Sequence, residues 1–600
     1  MASGTHMHAA YLDRILERYK YAESNLLQIL REAQEHHSYI HPDAIDYLIS
    51  KLKIPRARVE GVASFYSFLH LQPHGEYRVL FSDNIVDRML GSVELMQKMC
   101  QQLWVEPGKM SEDKLVSIGT TACTGMSDQG PAMLVNGRTI TRLTHQRVQE
   151  IGQLIRNRTP LENWPTDFFL VENNIHRKGL LLGNTLARGD ALCSGLVLGA
   201  QNIIEALKTS GLRGRGGAGF STGIKWEACR NAPDTTRYVV CNADEGEPGT
   251  FKDRVLLTSH ADLMFDGMSL CALAVGAQQG FVYLRGEYQY LLEPLQAVLQ
   301  RRRDANLLGK NILGHAGFDF DIAIHLGAGA YICGEESALI ESLEGKRGVP
   351  RSRPPFPVTH GYLQKPTALN NVETFCQAAL AIHMGAEKYS SIGTAKSTGS
   401  KLISVSGDCP RPGIYEYPFG VTVREVLQDC GAVNTLAVQI SGPSGICVAK
   451  SEFNRRLEFD DIPTAGSFMI FDDSRDMFEV ARNFVHFFAH DSCGFCTPCR
   501  VGTSMLKQTM DKIANGHGTK YDLGEMENLD HVLQTSSHCG LGRTACNPVL
   551  HTLKRFRPAY ESRLKSLDFE PAFDLDGALA RARQMTGRDD AGAHIKMEKS

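Results

Sequence analysis

The sequence Cys493-Gly494-Phe495-Cys496-Thr497-Pro498-Cys499 places three thiols in one short loop, and a fourth thiol, Cys539, follows further along the chain. Three close ligands with a distant fourth are typical of a [4Fe–4S] cluster, whereas zinc sites usually present two separated pairs of ligands. We therefore expect Cys493, Cys496, Cys499 and Cys539 to hold a [4Fe–4S] cluster, with zinc or unliganded thiols as the alternatives. A cluster carries one electron at a time, so the remaining sequence should contain the source of its electrons.

The residues around this loop predict helices that bring the fourth thiol back to it. Before the loop, one side of a helix from about residue 473 carries Phe478, Ala481, Phe484, Val485 and Phe488. After the loop, helical periodicity continues near residues 503–513 and 526–533. Residues 473–565 are therefore predicted to form a bundle of the four-helix type, in which the cluster and the apolar core stabilise each other.

The overall composition is that of a soluble globular protein with several domains. The chain has 600 residues, 42% hydrophobic and 22% charged, with a net charge of −3, and this length suggests about three to five domains. Neither nucleic acid nor a membrane is expected as a partner, because the charge is near neutral and no apolar run approaches about 20 residues. The sixteen cysteines, without an export signal, predict a reducing, cytoplasmic location. Residues 1–10 are expected to be a disordered start that includes a cloning leader, MASGTHM.

A glycine-rich segment, residues 211–223, is the first candidate for nucleotide chemistry. It contains G-x-G-x-x-G at Gly214, Gly216 and Gly219, but an amphipathic helix near 203–207 precedes it where a Rossmann fold requires a strand. The standard dinucleotide fold is therefore not inferred. Glycines still allow backbone N–H groups to approach a phosphate or a flat ring closely, beside the cations Arg213, Arg215 and Lys225. A hinge without a ligand is the alternative.

Acidic and amide side chains follow two further strand-like segments. Residues 238–242 lead into Asp244, Glu245 and Glu247, and the segment 327–334 leads into Glu335 and Glu336. In α/β folds, ligand contacts gather at the carboxyl ends of strands, so we expect binding residues here, with solvated acids as the alternative. A stiff loop, residues 353–357, also presents an aromatic ring, and residues 370–374 add polar groups.

Together these motifs resemble, over about residues 190–560, the 51-kDa flavoprotein subunit of respiratory complex I and its relatives. The resemblance implies that FMN lies across a modified α/β fold, that NAD(H) stacks on the flavin, and that Cys539 is the fourth cluster ligand. The positions that match FMN contacts are Gly214, Arg215, Gly216, Lys225, Asn242, Asp244, Gly334, Glu335, Asn370, Asn371 and Thr374. Those that match NAD(H) contacts are Phe220, Glu245, Glu247, Glu336 and Phe356. No catalytic acid or base is assigned, because hydride transfer on FMN needs none.

The segment from Tyr77 to residue 156 resembles the thioredoxin-like [2Fe–2S] subunit of complex I, the 24-kDa type. That family spaces its four cysteine ligands as C-x4-C and C-x3-C. The matching positions here are Ser82, Asp87, Cys123 and Ser127, of which one is a thiol. Hydroxyl and carboxyl groups are poor ligands for iron–sulfide chemistry, so we expect the [2Fe–2S] cluster to be absent and the domain to remain as a scaffold.

The predicted fold is thus multidomain, α/β and α+β. An N-terminal helical bundle (11–72) precedes a thioredoxin-like domain (73–156) and a surface linker (157–185). A modified Rossmann-like FMN and NAD(H) domain (186–399) follows. It leads to residues 400–472, which resemble the family's ubiquitin-like β-grasp insert, and then to the cluster bundle (473–565) and a tail (566–600).

A fusion of these two modules with a degraded [2Fe–2S] site resembles the diaphorase (alpha) subunits of cytoplasmic NAD-reducing [NiFe] hydrogenases. The resemblance implies an NADH:acceptor oxidoreductase that exchanges hydride between NAD(H) and FMN and passes single electrons to the [4Fe–4S] cluster. It implies a hetero-oligomer with an iron–sulfur electron-transfer subunit and the subunits of the NiFe site. The alternatives are the NAD-side flavoprotein of a formate dehydrogenase or complex I-like enzyme, and a non-catalytic subunit stabilised by zinc.

Overall fold

The first unit is a bundle of helices whose apolar stripes face one another. The structure, a computed structural model, describes residues 3–566 and 575–589. The bundle comprises α1 (Ser3–Arg18), α2 (Leu26–Glu35), α3 (Pro42–Leu52) and α4 (Arg56–Ala63). Leu16, Leu30 and Leu48 are fully buried, as the helical periodicity predicts. Since α1 begins at Ser3, the expected disordered start over residues 1–10 is corrected; residues 1 and 2 lie outside the described residues.

The second unit is a four-stranded sheet covered by helices. It comprises β1 (Tyr77–Ser82), α5 (Ile85–Met89), α6 (Ser92–Leu103), β2 (Val116–Thr121), β3 (Met133–Val135), β4 (Arg138–Ile140) and α7 (His145–Arg156). The strand order is β2-β1-β3-β4, with β2 parallel and β3 antiparallel to β1. Asn136 and Gly137 both have positive φ at the β3–β4 turn, as a two-residue hairpin turn requires.

The segment 157–185 is more than a surface connector. It contributes β5 (Ile175–Arg177), which pairs in parallel with β13, a strand described below. Its partner is more than 200 residues away, as shown by the pairing of Ile175 with Ile414. This corrects the expected linker, because an edge strand of three residues has no periodicity of its own from which to predict it.

The third unit is an all-parallel sheet between helices. Its elements are α8 (Asp190–Leu198), α9 (Ala200–Thr209), α10 (Thr222–Asn231), β6 (Tyr238–Ala243), α11 (Lys252–Ser259), α12 (Ala261–Val275), β7 (Gln279–Leu284), α13 (Leu292–Asp304), β8 (Asp321–Leu326), α14 (Glu336–Leu343), α15 (Pro357–His360), β9 (Thr367–Asn371), α16 (Val372–Met384) and α17 (Ala386–Ser390). The strand order is β8-β7-β6-β9. The order reverses between β6 and β9, and such a reversal opens a crevice at the carboxyl ends of the strands.

The fourth unit is a mixed sheet crossed by one helix. It comprises β10 (Gly393–Thr394), β11 (Ser397–Thr398), β12 (Ser400–Gly407), β13 (Gly413–Pro418), α18 (Val423–Cys430), β14 (Thr435–Ile440), β15 (Ile446–Ala449) and β16 (Ser467–Asp472). Strands β10 and β11 form a separate hairpin, and the others form a sheet in the order β15-β14-β16-β12-β13-β5. Val426 and Leu427 of α18 pack on Ile403 and Phe468 of this sheet.

The last unit is helical and holds the cysteine loop. It comprises α19 (Met477–Asp491), α20 (Thr497–Ala514), α21 (Lys520–Ser536), α22 (Gly540–Thr544), α23 (Asn547–Arg555), α24 (Arg557–Glu561) and α25 (Leu575–Thr586). The three helices predicted around the loop are thereby confirmed as α19, α20 and α21. Residues 567–574 and 590–600 of the predicted tail lie outside the described residues. No helix in the described part of the chain is long and apolar enough to cross a membrane.

Candidate functional site

A cleft of about 570 Å³ opens where the sheet order reverses. The glycine-rich loop before α10 forms one wall, and the ends of β6 and β9 form its floor. Twelve of the sixteen residues predicted to bind FMN or NAD(H) line it: Gly214, Gly216, Phe220, Lys225, Asn242, Gly334, Glu335, Glu336, Phe356, Asn370, Asn371 and Thr374. The structure therefore brings together residues from five separate segments at the predicted crevice.

The glycine-rich loop follows a path that side chains would obstruct. Gly217 and Gly219 have φ values of +119° and +62°, a region that L-residues with side chains rarely adopt. At Gly216, an added Cβ would lie 3.1 Å from the Cβ of Asn371. The loop leaves backbone close to the cleft, which suits the phosphate or ring of a bound FMN.

Polar side chains on the cleft floor are held by defined hydrogen bonds. Lys225 Nζ lies 3.0 Å from Glu336 Oε2 and donates to the Leu369 carbonyl at 3.0 Å. Asn242 donates to the Gly334 carbonyl at 2.8 Å. These contacts fix an ammonium group beside the cleft, where it can pair with an anionic ligand.

Two aromatic rings flank the cleft without being packed into the core. Phe220 is 56% exposed and Phe356 is 52% exposed, although aromatic side chains of this size usually bury most of their surface. Beside them, Arg353 Nη1 lies 3.2 Å from Glu335 Oε1. An exposed pair of rings beside a cation is suited to a planar ligand that also carries negative charge.

Three residues predicted to contact cofactors instead support the walls from behind. Arg215 is buried and donates to the carbonyls of Arg213, Thr398 and Ser400. Its backbone N–H also donates to the cleft residue Thr374 at 2.8 Å. Arg215 therefore anchors the glycine-rich loop.

Glu245 and Glu247 face away from the cleft lining. Glu245 accepts hydrogen bonds from the backbone N–H groups of Asp253 and Arg254 at the start of α11 and from Tyr288 Oη. Glu247 accepts from the N–H and hydroxyl of Ser444 at 2.9 and 2.8 Å. Burial raises the pKa of Glu245 to about 7 and raises that of Glu247.

Asp244 lines a second cavity, of about 230 Å³, between the thioredoxin-like, sheet and helical units. Its Oδ2 is buried and has no hydrogen-bond partner among the described residues. Burial raises the pKa of the Asp244 carboxyl to about 8, so the group is largely protonated at neutral pH. Cys123 lines the same cavity.

A buried ion cluster beneath the floor was not anticipated from the sequence. Lys252 Nζ lies 2.6 Å from Asp253 and 3.1 Å from Glu373, and Glu373 also pairs with Lys401. Asn371 donates to Asp253 at 2.6 Å. The cluster therefore fixes the orientation of a cleft residue. Lys252 and Lys401 belong to no recognisable sequence motif, so the sequence could not identify them as members of the cluster.

Cys493, Cys496, Cys499 and Cys539 line one small void between α19, α20 and α22. Burial, with a smaller contribution from the neighbouring thiols, raises the pKa of Cys499 to about 12. Burial also raises the pKa of Cys539, to about 11. Iron ligation would have to displace these protons. No three Cys, His, Asp or Glu side chains of the described residues converge closely enough to hold one metal ion.

The void and the cleft are adjacent. Gly540, the residue after Cys539, lines the cleft, and Ile332 lines the void only two positions before Gly334 of the cleft. Gly540 was not predicted as a cleft residue. The feature of the sequence that could have identified it is its position directly after the predicted cluster ligand Cys539. Adjacent backbone residues therefore border both the thiol void and the cleft.

The positions that match [2Fe–2S] ligands form a buried polar group instead of a set of thiols. Ser82 Oγ donates to Asp87 Oδ2 at 2.7 Å, and the Ala132 N–H donates to Asp87 Oδ1 at 2.9 Å. Asn84 Nδ2 lies 3.4 Å from Cys123 Sγ. Burial raises the pKa of the Asp87 carboxyl to about 7 despite these hydrogen bonds.

Three family models match separate parts of the chain. The thioredoxin-like [2Fe–2S] ferredoxin model matches residues 12–156. The Nuo51 FMN-binding domain model matches residues 207–380. The model of the NADH-ubiquinone oxidoreductase-F iron–sulfur binding region matches residues 479–563. FMN-binding and [4Fe–4S]-binding domains are therefore present where the cleft and the thiol void lie.

Whole-chain comparisons extend this finding. NAD-reducing hydrogenase HoxS subunit alpha of Cupriavidus necator is 43% identical over 581 residues, covering 94% of this chain and 96% of that protein. The NADP-reducing hydrogenase protein HndC of Solidesulfovibrio fructosivorans is 40% identical over 386 residues, covering 62% and 78%. A crystal structure of NAD+-reducing [NiFe]-hydrogenase in the H2-reduced state matches with a TM-score of 0.89 and 42% identity, covering 96% and 99% of the two chains. The chain belongs to the family of alpha subunits of NAD-reducing hydrogenases.

Proposed function

We propose that this protein is the diaphorase subunit of an NAD-reducing hydrogenase, an oxidoreductase that exchanges electrons between NAD(H) and an iron–sulfur chain. The single observation that carries the proposal is the adjacency of the two sites. Gly540 belongs to the wall of the cleft and directly follows Cys539 of the thiol void. This arrangement couples a nucleotide-sized cleft to a one-electron carrier within one chain.

The residues of the cleft have separate roles in binding FMN. The glycine-rich loop would hold the flavin and its phosphate, with Lys225 as the nearby cation. Asn242, Asn370, Asn371 and Thr374 would bind its polar groups. Gly214, Gly216, Gly334 and Glu335 would complete the walls. Arg215 acts as a positioning residue, because its side chain holds the loop from behind.

NAD(H) would enter from the open side of the cleft. Phe220 and Phe356 are placed to stack on its adenine, and Glu336 is placed to accept hydrogen bonds from its ribose or carboxamide. Glu247 would act indirectly, since it accepts a hydrogen bond from Tyr331 Oη, and Glu245 supports α11.

When bound, FMN takes up two electrons as hydride and releases them singly, which connects NAD(H) to one-electron carriers. The chain contributes geometry to this exchange. Its loops orient the flavin against NAD(H), and its four cysteines hold the [4Fe–4S] cluster at the neighbouring void. No side chain of the cleft is needed to move a proton during hydride transfer.

The expected partners are proteins that can accept single electrons from the [4Fe–4S] cluster. We propose a hetero-oligomer with an iron–sulfur electron-transfer subunit and the NiFe subunits, because the related structure is a [NiFe]-hydrogenase and the related chain from Cupriavidus necator is one of several hydrogenase subunits. None of the sixteen cysteines forms a disulfide, as expected of a reducing, cytoplasmic compartment.

Two finer assignments complete the proposal. Residues 400–472 form a β-grasp unit, supported by the packing of α18 across the mixed sheet. The thioredoxin-like unit holds no [2Fe–2S] cluster, because Cys123 is the single thiol among the four ligand positions, and Ser82 and Asp87 are already hydrogen-bonded to each other.

Composition of anaerobically purified protein tests the cofactors directly. We expect one FMN, about four irons and about four acid-labile sulfides per chain, with no zinc. About six irons would contradict the loss of the [2Fe–2S] cluster, and a colourless protein with zinc would contradict the diaphorase function.

Reduction of an artificial acceptor by NADH tests the cleft. Lys225→Met should lower FMN content and activity together, and added FMN should restore part of the activity. Lys388→Met, which removes the same charge from the exposed surface of α17, should leave both unchanged. Equal loss in the two variants would contradict the role assigned to Lys225.

A further inference from the structure

A third cavity, distinct from the flavin cleft and from the cavity lined by Asp244, is a polar cleft where three units of the chain meet. It has a volume of about 230 Å³ and shares no lining residue with the flavin cleft. Arg31 of α2 lines one side, Arg78 of β1 and the Asn136-Gly137 turn line another, and Gln289 of the sheet unit closes it. Neither the family resemblance nor the proposed function assigns a role to this cleft.

Two guanidinium groups face this cleft without an acidic partner. Among the described residues, no carboxylate oxygen lies within 4.0 Å of a nitrogen of Arg31 or Arg78. Arg31 makes one long contact, 3.5 Å to Gln28 Oε1. Arg78 donates to the Phe68 carbonyl at 3.2 Å, lies 5.2 Å above the Phe68 ring and contacts the His70 ring. Half-buried arginines usually pair with carboxylates, so two unpaired ones in a single cleft leave positive charge to be neutralised.

The two carboxyl groups that line the cleft make no salt bridge with Arg31 or Arg78. Glu76 is already paired with Arg158 at 2.7 Å. Glu35, four residues after Arg31, also lines the cleft: burial raises its pKa and the charge of Arg31 partly opposes that rise, but no oxygen of Glu35 lies within 4.0 Å of an Arg31 nitrogen. His74 Nδ1 is buried and has no hydrogen-bond partner among the described residues. The cleft therefore offers two guanidinium groups and an unsatisfied ring nitrogen to whatever occupies it.

We propose that this cleft is a binding site for a phosphate-type oxyanion, held by Arg31 and Arg78. A guanidinium group presents parallel N–H donors that match two oxygens of one oxyanion, so two such groups can bind opposite edges of a phosphoryl group. His74 and Gln289 also line the cleft and could add donors, whereas the Asn136 amide is already bonded to the backbone of Arg78 and Glu76. The occupant is either free phosphate or a phosphomonoester, since the cleft opens to solvent.

Binding would add a contact that spans three units of the chain. Arg31 belongs to the N-terminal bundle, Arg78 to the thioredoxin-like sheet, and Gln289 to the FMN unit. A ligand that binds only the assembled arrangement stabilises it by mass action. We therefore expect the anion to reduce local opening of all three segments at once.

Calorimetric titration of the FMN-loaded chain with sodium phosphate, against sodium chloride of equal ionic strength, tests the site. FMN loading keeps phosphate out of the flavin site. We expect saturable binding of phosphate. Arg31→Gln and Arg78→Gln should each weaken it about tenfold or more, as expected for a charge-assisted hydrogen bond. Arg301→Gln, which removes an exposed arginine of α13, is the matched control and should bind normally.

Hydrogen exchange of the wild-type protein tests the site even if the arginine variants misfold. Phosphate should slow hydrogen exchange in segments 31–38, 74–78, 136–138 and 286–289, and chloride should not. Glycerol phosphate distinguishes the sources: tighter, Arg31-dependent binding assigns a phosphomonoester, and weaker binding assigns free phosphate. Absence of phosphate binding, or equal weakening by Arg301→Gln, would overturn the proposal.

Discussion

Replacement of Asp87 by asparagine should remove a specific pH dependence from the stability of the thioredoxin-like unit. Asp87 is fully buried, and burial raises its pKa from 3.8 to about 7. The folded unit therefore keeps a proton that the unfolded chain releases between about pH 4 and pH 7. Stability from this group is complete below about pH 4 and is lost as the pH rises through that window.

The size of the effect follows from the difference between the two pKa values. A rise from 3.8 to about 7 corresponds to at most about 4 kcal/mol lost between about pH 4 and pH 8. With a urea dependence of about 2 kcal/mol per molar, the midpoint of the wild-type unit should fall by up to about 2 M. Asp87→Asn cannot ionise, so its midpoint should lack this decrease.

The measurement must report this unit alone, because a chain of several domains does not unfold in one step. Hydrogen exchange of peptides that cover β1 and the β3–β4 hairpin, followed across urea concentrations from about pH 4 to 8, meets that need. Glu112→Gln removes an exposed carboxyl of the same unit and should keep the wild-type slope. Parallel pH profiles for the wild type and Asp87→Asn would refute the reasoning.

Three further outcomes are expected. Cys499→Ala should lower the iron content by about four per chain, as iron analysis would show. It should also speed hydrogen exchange in the helical unit, because the cluster and the bundle stabilise each other. Retention of iron would exclude Cys499 as a ligand. Phe356→Ala should raise the KM for NADH by about three- to tenfold with little change in kcat, since a stacking contact contributes about 0.5–1.5 kcal/mol; an unchanged KM would contradict stacking. The combined change of Ser82, Asp87 and Ser127 to cysteine should add about two irons per chain and a [2Fe–2S] signal in electron paramagnetic resonance. An unchanged iron content would show that restoring the four ligands is not sufficient for cluster binding.

Much of the cleft could be predicted because its residues lie in short, recognisable segments. The glycines of residues 214–219 and the three thiols of residues 493–499 depend on local spacing, which the sequence displays directly, whereas Cys539 was assigned as the fourth ligand through the family resemblance. The helices around the cysteine loop were equally accessible, since their apolar residues recur with a clear period. These predictions required no knowledge of how distant segments meet.

The sequence could not show how side chains are oriented where that orientation depends on distant partners. Asn242 reaches the cleft, whereas Glu245, three positions later, caps α11 and contacts Tyr288. Beyond the end of a strand the backbone turns, so alternation no longer tells which way a side chain points. Arg215 was expected to contact a ligand because of its charge, but carbonyl groups from residues 398 and 400 surround it. Such contacts appear only once the chain has folded.

The short strand β5 has a consequence for dividing the protein into fragments. It covers the outer side of β13 and completes the edge of the six-stranded sheet. A fragment that begins at residue 186 would leave the backbone N–H and C=O groups along β13 without partners, and exposed sheet edges recruit other chains. The flavin half of the molecule should therefore aggregate when produced from residue 186 onward and remain monodisperse when residues 170–185 are kept.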